Sequence, residues 1–219
     1  MRIVLFGPPG AGKGSLALLC QTRLGIPHIS TGEIFRREMR RHSALGRRVK
    51  AYVTAGRLVP DALVVRVMAS RLSRRMLAKG FVCDGFPRTR GQACGFDRVL
   101  SSRGFPLDGA VYLTSPQALL IRRLSGRRVC ERCGANFHLR TMRPKRAGVC
   151  DRCGARLTVR KDDQPATIRK RLRIDHTAAA SLLAYYRRRR VLYRVNGIGH
   201  IHVVFHRAVR LFHRQGWVG

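Results

Sequence analysis

The chain has 219 residues, of which 45% are hydrophobic and 26% charged, a composition that supports a globular core and excludes wholesale disorder. No run of 18 apolar residues occurs, which excludes a transmembrane helix, so we expect no membrane partner. The apolar stretch that follows Met1 is too short for a signal peptide, and four cysteines are spaced as Cys-x-x-Cys pairs. These features favour a reducing, cytoplasmic location.

The net charge is the unusual property of this chain, because 45 Lys+Arg residues stand against 11 Asp+Glu and give +34. A charge of this size attracts the phosphates of nucleic acids. However, 39 of the basic residues are Arg and only 6 are Lys, and they are scattered along the chain rather than grouped in one arm. We therefore expect incidental association with RNA at low salt, not RNA binding as the main function.

The first predicted elements are a short buried strand at 2–6, a glycine-rich turn at 7–14 and a helix. Glycines let successive backbone N–H groups point inward, and a helix N-terminus adds its positive end. Lys13 supplies a charge for the outer phosphates of a nucleotide, although Gly14 stands where Ser or Thr usually follows and Ser15 comes next. The pattern predicts a phosphate-binding loop; a glycine turn that binds nothing is the alternative.

A polar, periodic segment at 30–59 comes next. Ser30 precedes Glu33 at capping-box spacing, which predicts that a helix begins there. Another helix with apolar residues at core spacing is predicted to start at Pro60-Asp61.

Two further strands are predicted at 81–84 and 110–113, and Pro116 marks a helix start after the second. Asp84 ends the first of these strands and Gly85 follows it. Strands that alternate with helices in this way indicate a parallel sheet covered on both faces.

The second half of the chain changes character at 126–163, which holds four cysteines and many turns. A long Arg-rich helix is predicted over 167–193 and a last strand over 201–205, while 206–219 is weakly patterned. We therefore predict an α/β fold, a three-layer parallel sheet with helices on both faces, in which 30–59 and 126–163 are insertions.

The four paired cysteines predict a metal site. Cys130 and Cys133 form one Cys-x-x-Cys pair and Cys150 and Cys153 the other, with 16 residues between the pairs. Two such pairs supply the four thiolates of a closed, structural Zn²⁺ site that leaves no position for a catalytic water. Four free cysteines or two disulfides are the alternatives. His138 lies near the pairs and is expected to be a turn or surface residue.

Six motifs now occur in a fixed order along the chain. They are Gly7 to Ser15, Ser30 to Glu33, Gly56 to Val59, Asp84 to Thr89, Gly126 to Arg128 and Arg160 to Asp163. Together they resemble adenylate kinase, in the long form whose lid carries a zinc-binding knuckle pair. The resemblance runs from residue 1 to about residue 200, and the Asp-Gly-Phe-Pro-Arg block is specific to nucleoside monophosphate kinases.

The resemblance implies reversible transfer of the terminal phosphoryl group of ATP to AMP, giving two ADP, in adenine nucleotide homeostasis. It implies Mg²⁺ with ATP, Zn²⁺ in the lid, and a monomer. It divides the chain into a core P-loop domain, an AMP-binding domain and a zinc-binding lid. The core comprises 1–29, 60–125 and 164–219, the AMP-binding domain 30–59, and the lid 126–163.

The resemblance also assigns site residues. The implied ATP-binding residues are Gly10, Ala11, Gly12, Lys13, Gly14, Ser15, Arg123, Arg127, Asn136, Phe137 and Gly199. The implied AMP-binding residues are Thr31, Arg36, Arg57, Leu58, Val59, Gly85, Phe86, Pro87, Arg88, Gln92, Arg160 and Arg171. The implied catalytic residues are Lys13, Asp84, Arg88, Arg127, Arg160 and Arg171.

Four of these residues carry more specific expectations. Arg36 and Arg88 suit the AMP phosphate, because a guanidinium forks onto such an anion, and Gln92 is expected to read the adenine edge. Asp84 is expected to orient Mg²⁺ through water, with helix capping as the alternative. Closure of the lid and the AMP-binding domain would keep water from the phosphoryl group.

The chain departs from the family pattern in three places. Ser15 and Leu16 replace Thr-Gln, Glu33 replaces Asp, and the segment 196–200 is looser than usual. Three alternatives therefore remain at this point: a kinase of another nucleoside monophosphate, a basic zinc-ribbon RNA-binding protein on a kinase-like scaffold, and an inactive paralogue.

Overall fold

A five-stranded parallel sheet organises the computed structural model, which describes residues 1–218. Its strands are β1 (Arg2–Phe6), β2 (His28–Ser30), β3 (Phe81–Asp84), β4 (Gly109–Thr114) and β8 (Leu192–Asn196). They lie side by side in the order β2-β3-β1-β4-β8, all parallel. The strand order reverses at β1, so the carboxyl ends of β1, β3 and β4 open a crevice at the point where ligands bind in such sheets.

Helices cover both faces of this sheet. They are α1 (Lys13–Leu24), α2 (Thr31–Arg40), α3 (Ala44–Thr54), α4 (Asp61–Arg71), α5 (Arg74–Lys79), α6 (Arg90–Ser102), α7 (Gln117–Ser125), α8 (Pro165–Arg188) and α9 (Ile201–Arg214). Successive side chains of a strand point to opposite faces, so Ile3 and Leu5 pack with α1, α7 and α9, while Val4 and Phe6 pack with α4, α5 and α6. Helix α8 contributes to both layers. The predicted fold class is confirmed.

The two predicted insertions interrupt this alternation. The first carries α2 and α3, which pack on each other. The second carries an antiparallel sheet of β5 (Arg127–Cys130), β6 (Asn136–His138) and β7 (Leu157–Thr158), in the order β6-β5-β7, followed by a short 3-10 helix, Lys161–Asp163. This sheet has a small apolar cluster of its own. The division into three domains nevertheless remains a prediction.

The predicted helix starts follow local chemistry. The Ser30 hydroxyl accepts a hydrogen bond from the N–H of Glu33 at 3.4 Å, which caps α2. Pro60 precedes α4 and Pro116 precedes α7, where a residue without an N–H leaves no extra donor unpaired.

Two predictions near the C-terminus are wrong. The segment 201–205 is not a strand; it begins helix α9, because Val204, Ala208 and Phe212 recur at helical spacing and are buried. The run Ile-His-Val-Val-Phe imitates a buried strand when it is considered without the residues after it. The long helix ends at Arg188, and the last strand is β8, which the Arg-rich pattern had concealed.

The longest helix, α8, has 24 residues and carries arginines along its length. Within residues 1–218 there is no helix with both the length and the apolar character that crossing a bilayer requires.

Candidate active site

One cleft of about 2470 Å³ opens at the carboxyl edge of the parallel sheet. Its walls come from the turns after β1 and β3, from α2, from the hinge side of α8 and from the three-stranded sheet. Most predicted site residues line it: Gly10, Ala11, Gly12, Lys13, Gly14, Ser15, Arg36, Asp84, Gly85, Pro87, Arg88, Arg123, Arg127, Asn136, Phe137, Arg160, Arg171 and Gly199. Residues from distant parts of the sequence thus converge on one space.

Some predicted residues lie behind or beside the wall: Thr31, Arg57, Leu58, Val59, Phe86 and Gln92. Thr31 is 3% exposed, and its hydroxyl donates to the carbonyl oxygen of Gly85 at 3.0 Å. The guanidinium of Arg57 lies over the ring of Tyr52, 5.4 Å from its centre. In this conformation the side chains of Thr31 and Arg57 contact other residues of the protein.

The turn after β1 has the geometry of an anion cradle. Gly12 has φ +97° directly before α1 begins, a conformation that side chains other than glycine rarely adopt. The ammonium group of Lys13 donates to the carbonyl oxygens of Gly7 at 2.6 Å and Pro8 at 2.9 Å. The lysine therefore folds back over its own loop, at the positive end of α1.

The charge of Lys13 is poorly stabilised here. Burial lowers the pKa of Lys13 to about 8, although the carboxylates of Asp84 and Asp175 oppose this effect. Asp175 lies in the middle of α8 and lines the cleft, and sequence reasoning missed it because it belongs to no motif. An anion beside the lysine would favour the charged ammonium.

Asp84 occupies the end of β3 and faces the phosphate loop. Its Oδ2 accepts from the Ser30 hydroxyl at 3.4 Å, and it caps no helix in the part of the chain that the structure describes. A Cβ placed on Gly14 would lie 3.0 Å from the same oxygen. The proximity of this carboxylate explains why glycine follows the lysine, and a carboxylate oxygen is the ligand type that Mg²⁺ prefers.

A cluster of charges joins the three-stranded sheet to α8; we call Arg127, Asp162, Asp163 and Arg171 the hinge cluster. The Asp163 side chain is fully buried and accepts two bonds from Arg127, from Nε at 2.7 Å and from Nη2 at 2.6 Å. Nη1 of Arg171 lies 3.0 Å from a carboxylate oxygen of both Asp162 and Asp163. The two-nitrogen contact fixes the guanidinium plane of Arg127, whereas Arg171 is held through a single nitrogen.

Burial outweighs the nearby carboxylates at two other guanidinium groups of the cleft. Burial lowers the pKa of Arg36, and burial together with Arg36 and Arg127 lowers the pKa of Arg160 well below its usual value. Nη2 of Arg160 donates to the Asn136 side-chain oxygen at 2.6 Å, whereas Arg36 has no hydrogen-bonded or ion-paired acceptor within residues 1–218. Burial raises the pKa of Asp162, but the surrounding arginines outweigh it and the net shift is downward. The cleft is therefore prepared for a polyanion.

A chain of hydrogen bonds holds the turn that carries Arg88. Nε of Arg88 donates to the Gly85 carbonyl at 2.9 Å, and the Arg88 N–H donates to Oε1 of Gln92 at 2.8 Å. Nε2 of Gln92 donates to Oδ1 of Asp61 at 3.0 Å, and the Thr89 hydroxyl donates to Oδ2 of Asp61 at 2.8 Å. From the sequence, Asp61 was only part of a helix start, because nothing there relates it to residues about 30 positions later.

Arg123 shapes the far side of the cleft. Its Nη2 donates to the carbonyl oxygens of Gly197 and Gly199, each at 2.9 Å. Gly199 itself has φ +105° and is exposed. The loose C-terminal pattern is thus held in place by a residue of α7.

The four cysteines come together in the segment 126–163. Their Sγ atoms all lie within 4.8 Å of one another, with Cys130 and Cys153 at 3.4 Å and Cys133 and Cys150 at 3.5 Å. These distances are too long for disulfides and close to the roughly 3.8 Å between sulfurs of a tetrahedral zinc site. The cysteines can hold a metal ion. His138 lies outside this group, and its Nδ1 accepts from the N–H of Arg140 at 3.1 Å.

Comparisons with known proteins find similar sequences over most of the chain. Residues 5–191 match the model of the family described as adenylate kinase. The chain is 47% identical over 197 residues to an adenylate kinase of Moorella thermoacetica, covering 90% of this chain and 91% of that protein. It is 42% identical over 205 residues to one of Clostridium tetani, covering 94% and 95%. An adenylate kinase of Symbiobacterium thermophilum is 46% identical over 197 residues, with 90% and 91% covered. Neither an RNA-binding protein nor a kinase of another nucleotide is favoured by these matches.

Proposed function

The chain belongs to the adenylate kinase family, and we propose that its reaction, transfer of the terminal phosphoryl group of ATP to AMP, takes place in the cleft at the carboxyl edge of the sheet. The observation that carries this proposal is the convergence of Lys13 with the guanidinium groups of Arg36, Arg88, Arg127, Arg160 and Arg171 on one space. Phosphoryl transfer requires little covalent chemistry from a protein; it requires positioning and neutralisation of charge. A cleft of cations supplies both.

ATP occupies the side of the cleft formed by the phosphate loop. The N–H groups of residues 10–15 and the start of α1 hold its phosphates, and Lys13 moves from its carbonyl partners to the outer phosphates. Arg127 reaches the same phosphates from the lid, which comprises 126–163, and Arg123 reaches them from α7. Asn136, Phe137 and Gly199 lie near the adenine of ATP.

AMP occupies the side formed by α2 and the turn after β3. Arg36, which has no acceptor in the described part of the chain, and Arg88 bind its phosphate. Gly85, Phe86 and Pro87 form the turn beneath it. Thr31, Arg57, Leu58, Val59 and Gln92 complete the pocket as 30–59 closes, Gln92 at the base.

Arg160 and Arg171 act on both nucleotides. They lie where the lid joins α8, and the carboxylates of the hinge cluster fix the Arg171 side chain. When the lid closes, these two guanidinium groups neutralise the charge that develops on the transferred group, and water is excluded from it.

Two metals fit the residues present. Asp84 would orient Mg²⁺ through water at the phosphate loop, where the ion neutralises the ATP phosphates. Cys130, Cys133, Cys150 and Cys153 would hold Zn²⁺, which stabilises a lid whose own apolar cluster is small. We further propose a cytoplasmic monomer that serves adenine nucleotide homeostasis and binds RNA only incidentally.

A coupled assay of ADP formation tests the site assignment. We expect Lys13→Ala and Arg88→Ala to lower kcat/KM by roughly 10²-fold or more, as is usual when a group that stabilises a transition state is removed. Arg98→Ala is the matched control, because Arg98 is an exposed arginine of α6 away from the cleft. Equal turnover in all variants, or no binding of diadenosine pentaphosphate, would contradict the proposal.

A further inference from the structure

The side-chain amide of Gln92 is buried, and the protein uses half of its hydrogen-bonding capacity. Gln92 is 2% exposed, and its two polar atoms have one protein partner each. Oε1 accepts from the Arg88 N–H at 2.8 Å and Nε2 donates to Oδ1 of Asp61 at 3.0 Å. Because an amide has two N–H groups and two lone pairs, one N–H and one lone pair remain for a ligand.

The partners of Gln92 determine which way its amide points. The Arg88 N–H can only donate, and the Asp61 carboxylate at neutral pH can only accept. A flipped amide would place two donors together at Arg88 and two acceptors together at Asp61. The Arg88 N–H and the Asp61 carboxylate both oppose the flipped state, and of the two only the carboxylate is a side chain that a substitution can remove.

The orientation of an amide has a consequence for base recognition. A glutamine amide pairs with adenine by accepting from its amino group and donating to a ring nitrogen. Guanine presents an acceptor oxygen where adenine presents the amino donor. An amide that flips would lose the match to adenine and gain one to guanine.

We propose that Asp61 is a positioning residue that holds the Gln92 amide in the orientation that selects AMP over GMP. The inference rests on the proposed AMP pocket, in which Gln92 meets the base. Asp61 is the first residue of α4, just past the segment 30–59, so it also ties the exit of that segment to the turn that carries Arg88.

Steady-state kinetics of a double-mutant cycle test this role. We expect Asp61→Ala to raise the KM for AMP roughly tenfold, the usual cost of a lost hydrogen bond to a charged group. The preference for AMP over GMP should fall, while the KM for ATP should not change. In a Gln92→Ala background, Asp61→Ala should have no further effect on the KM for AMP, because the residue acts through Gln92. Asp61→Asn should recover much of the wild-type KM, since its amide oxygen can still accept from Gln92.

A matched control separates positioning from helix stability. Asp61 is also an acidic residue in the first turn of α4, where it favours the helix. Ala62 is exposed in the same turn, so Asp61→Ala combined with Ala62→Asp returns the charge without the contact to Gln92. We expect the melting temperature to recover and the KM for AMP to stay high.

If Asp61→Ala does not fold, Gly91→Ala is a second way to disrupt the contact between Asp61 and Gln92. A Cβ at Gly91 would collide with the Asp61 carboxylate, so this change displaces the carboxylate and keeps every charge. We expect the same rise in the KM for AMP.

Three results would overturn the inference. If Gln92→Ala raises the KM for AMP and Asp61→Ala does not, the positioning role is wrong and the proposed AMP pocket stands. If the effects of the two substitutions add, Asp61 acts structurally. If Gln92→Ala itself leaves AMP unaffected, the assignment of Gln92 in the proposed pocket fails and the inference fails with it.

Discussion

Lys13 is a partly buried residue whose ammonium group donates to two backbone carbonyls. These acceptors replace water only in part, so burial lowers the pKa of Lys13 to about 8, below the 10.5 of a free lysine. Below pH 8 the folded protein keeps the charge at a cost. Between about pH 8 and 10.5 the unfolded chain binds more protons, so the free energy of unfolding rises with pH across this window.

The lowered pKa of Lys13 predicts that ATP binding is coupled to proton uptake. Phosphates beside Lys13 favour the ammonium form, so ATP should raise its pKa and take up a proton when the pH lies above about 8. Calorimetry in two buffers with different ionisation enthalpies measures this uptake. Lys13→Arg, which keeps its charge at all these pH values, should abolish it, and uptake that persists in this variant would contradict the explanation.

Substitution of Gly14 is predicted to lower the activity without lowering the stability. Gly14→Ala replaces a glycine inside α1, which favours the helix by about 1 kcal/mol. Its Cβ would lie 3.0 Å from Oδ2 of Asp84 and push the carboxylate aside. We expect an unchanged or higher melting temperature with a lower kcat in Mg²⁺. A loss of stability that parallels the loss of kcat would argue against this role for Asp84.

Residues that stand in contiguous motifs could be predicted from the sequence, as the phosphate loop and the Asp84 to Arg88 block illustrate. Asp61 and Asp175 could not, because each reaches the site only through tertiary packing of a helix whose own sequence shows no functional pattern. Burial and hydrogen-bond partners identify them, and a single sequence contains neither.

At the scale of elements, the proposed lid is a small sheet that two features stabilise, the four-cysteine group and the hinge cluster. Its apolar cluster contains only a few buried side chains, two of them from the cysteine group. The hinge cluster ties the first residue of β5 to α8 through the fully buried carboxylate of Asp163. We therefore expect the proposed lid to depend on a metal at the four cysteines for its internal order and on Asp163 for its attachment.

We predict that removal of the metal unfolds the proposed lid locally and leaves the parallel sheet folded. A strong chelator or Cys150→Ser should expose the lid amides to hydrogen exchange and lower activity, because so small a cluster cannot order the segment alone. Amides of β1, β3 and β4 should stay protected. Cys94→Ser is the control, as this half-buried cysteine lies outside the group. Uniform loss of protection along the chain would contradict the prediction.

The elements that sequence reasoning missed are explained by length and context. Strand β2 has three residues, fewer than a periodicity argument can use. Strand β8 contains Arg194 and follows four consecutive arginines, so it looked like a continuation of α8. Helix α9 begins with a run of β-branched and aromatic residues, and only its later turns show the helical period.

At the scale of the whole molecule, the protein retains few carboxylates to balance its +34 charge. Among residues 1–218, five of the 11 acidic residues pair with arginines: Glu38, Asp97, Asp108, Asp162 and Asp163. Most arginines have no such partner, so the folded state carries considerable self-repulsion that bound anions relieve.

Anions should therefore stabilise the fold in proportion to their geometry. We expect the melting temperature to rise more in sulfate than in chloride at equal ionic strength, and more again with ATP. A ligand at 100 times its Kd adds about 2.7 kcal/mol to the free energy of unfolding. Scanning calorimetry measures this, and Arg36→Ala with Arg88→Ala should reduce the sulfate-specific part. Equal melting in chloride and sulfate would contradict it.

Helix α8 packs against the core near both of its ends. Ile168 and Leu172 are buried in one layer just after the hinge cluster, and Leu182 and Tyr186 are buried in the other. Because α8 packs on the core near both ends, we expect the proposed lid to move about the joint before Pro165 while α8 keeps its position on the sheet. Spectroscopic probes on α8 should therefore keep constant distances to the sheet during catalysis, and only probes on the proposed lid should report its movement.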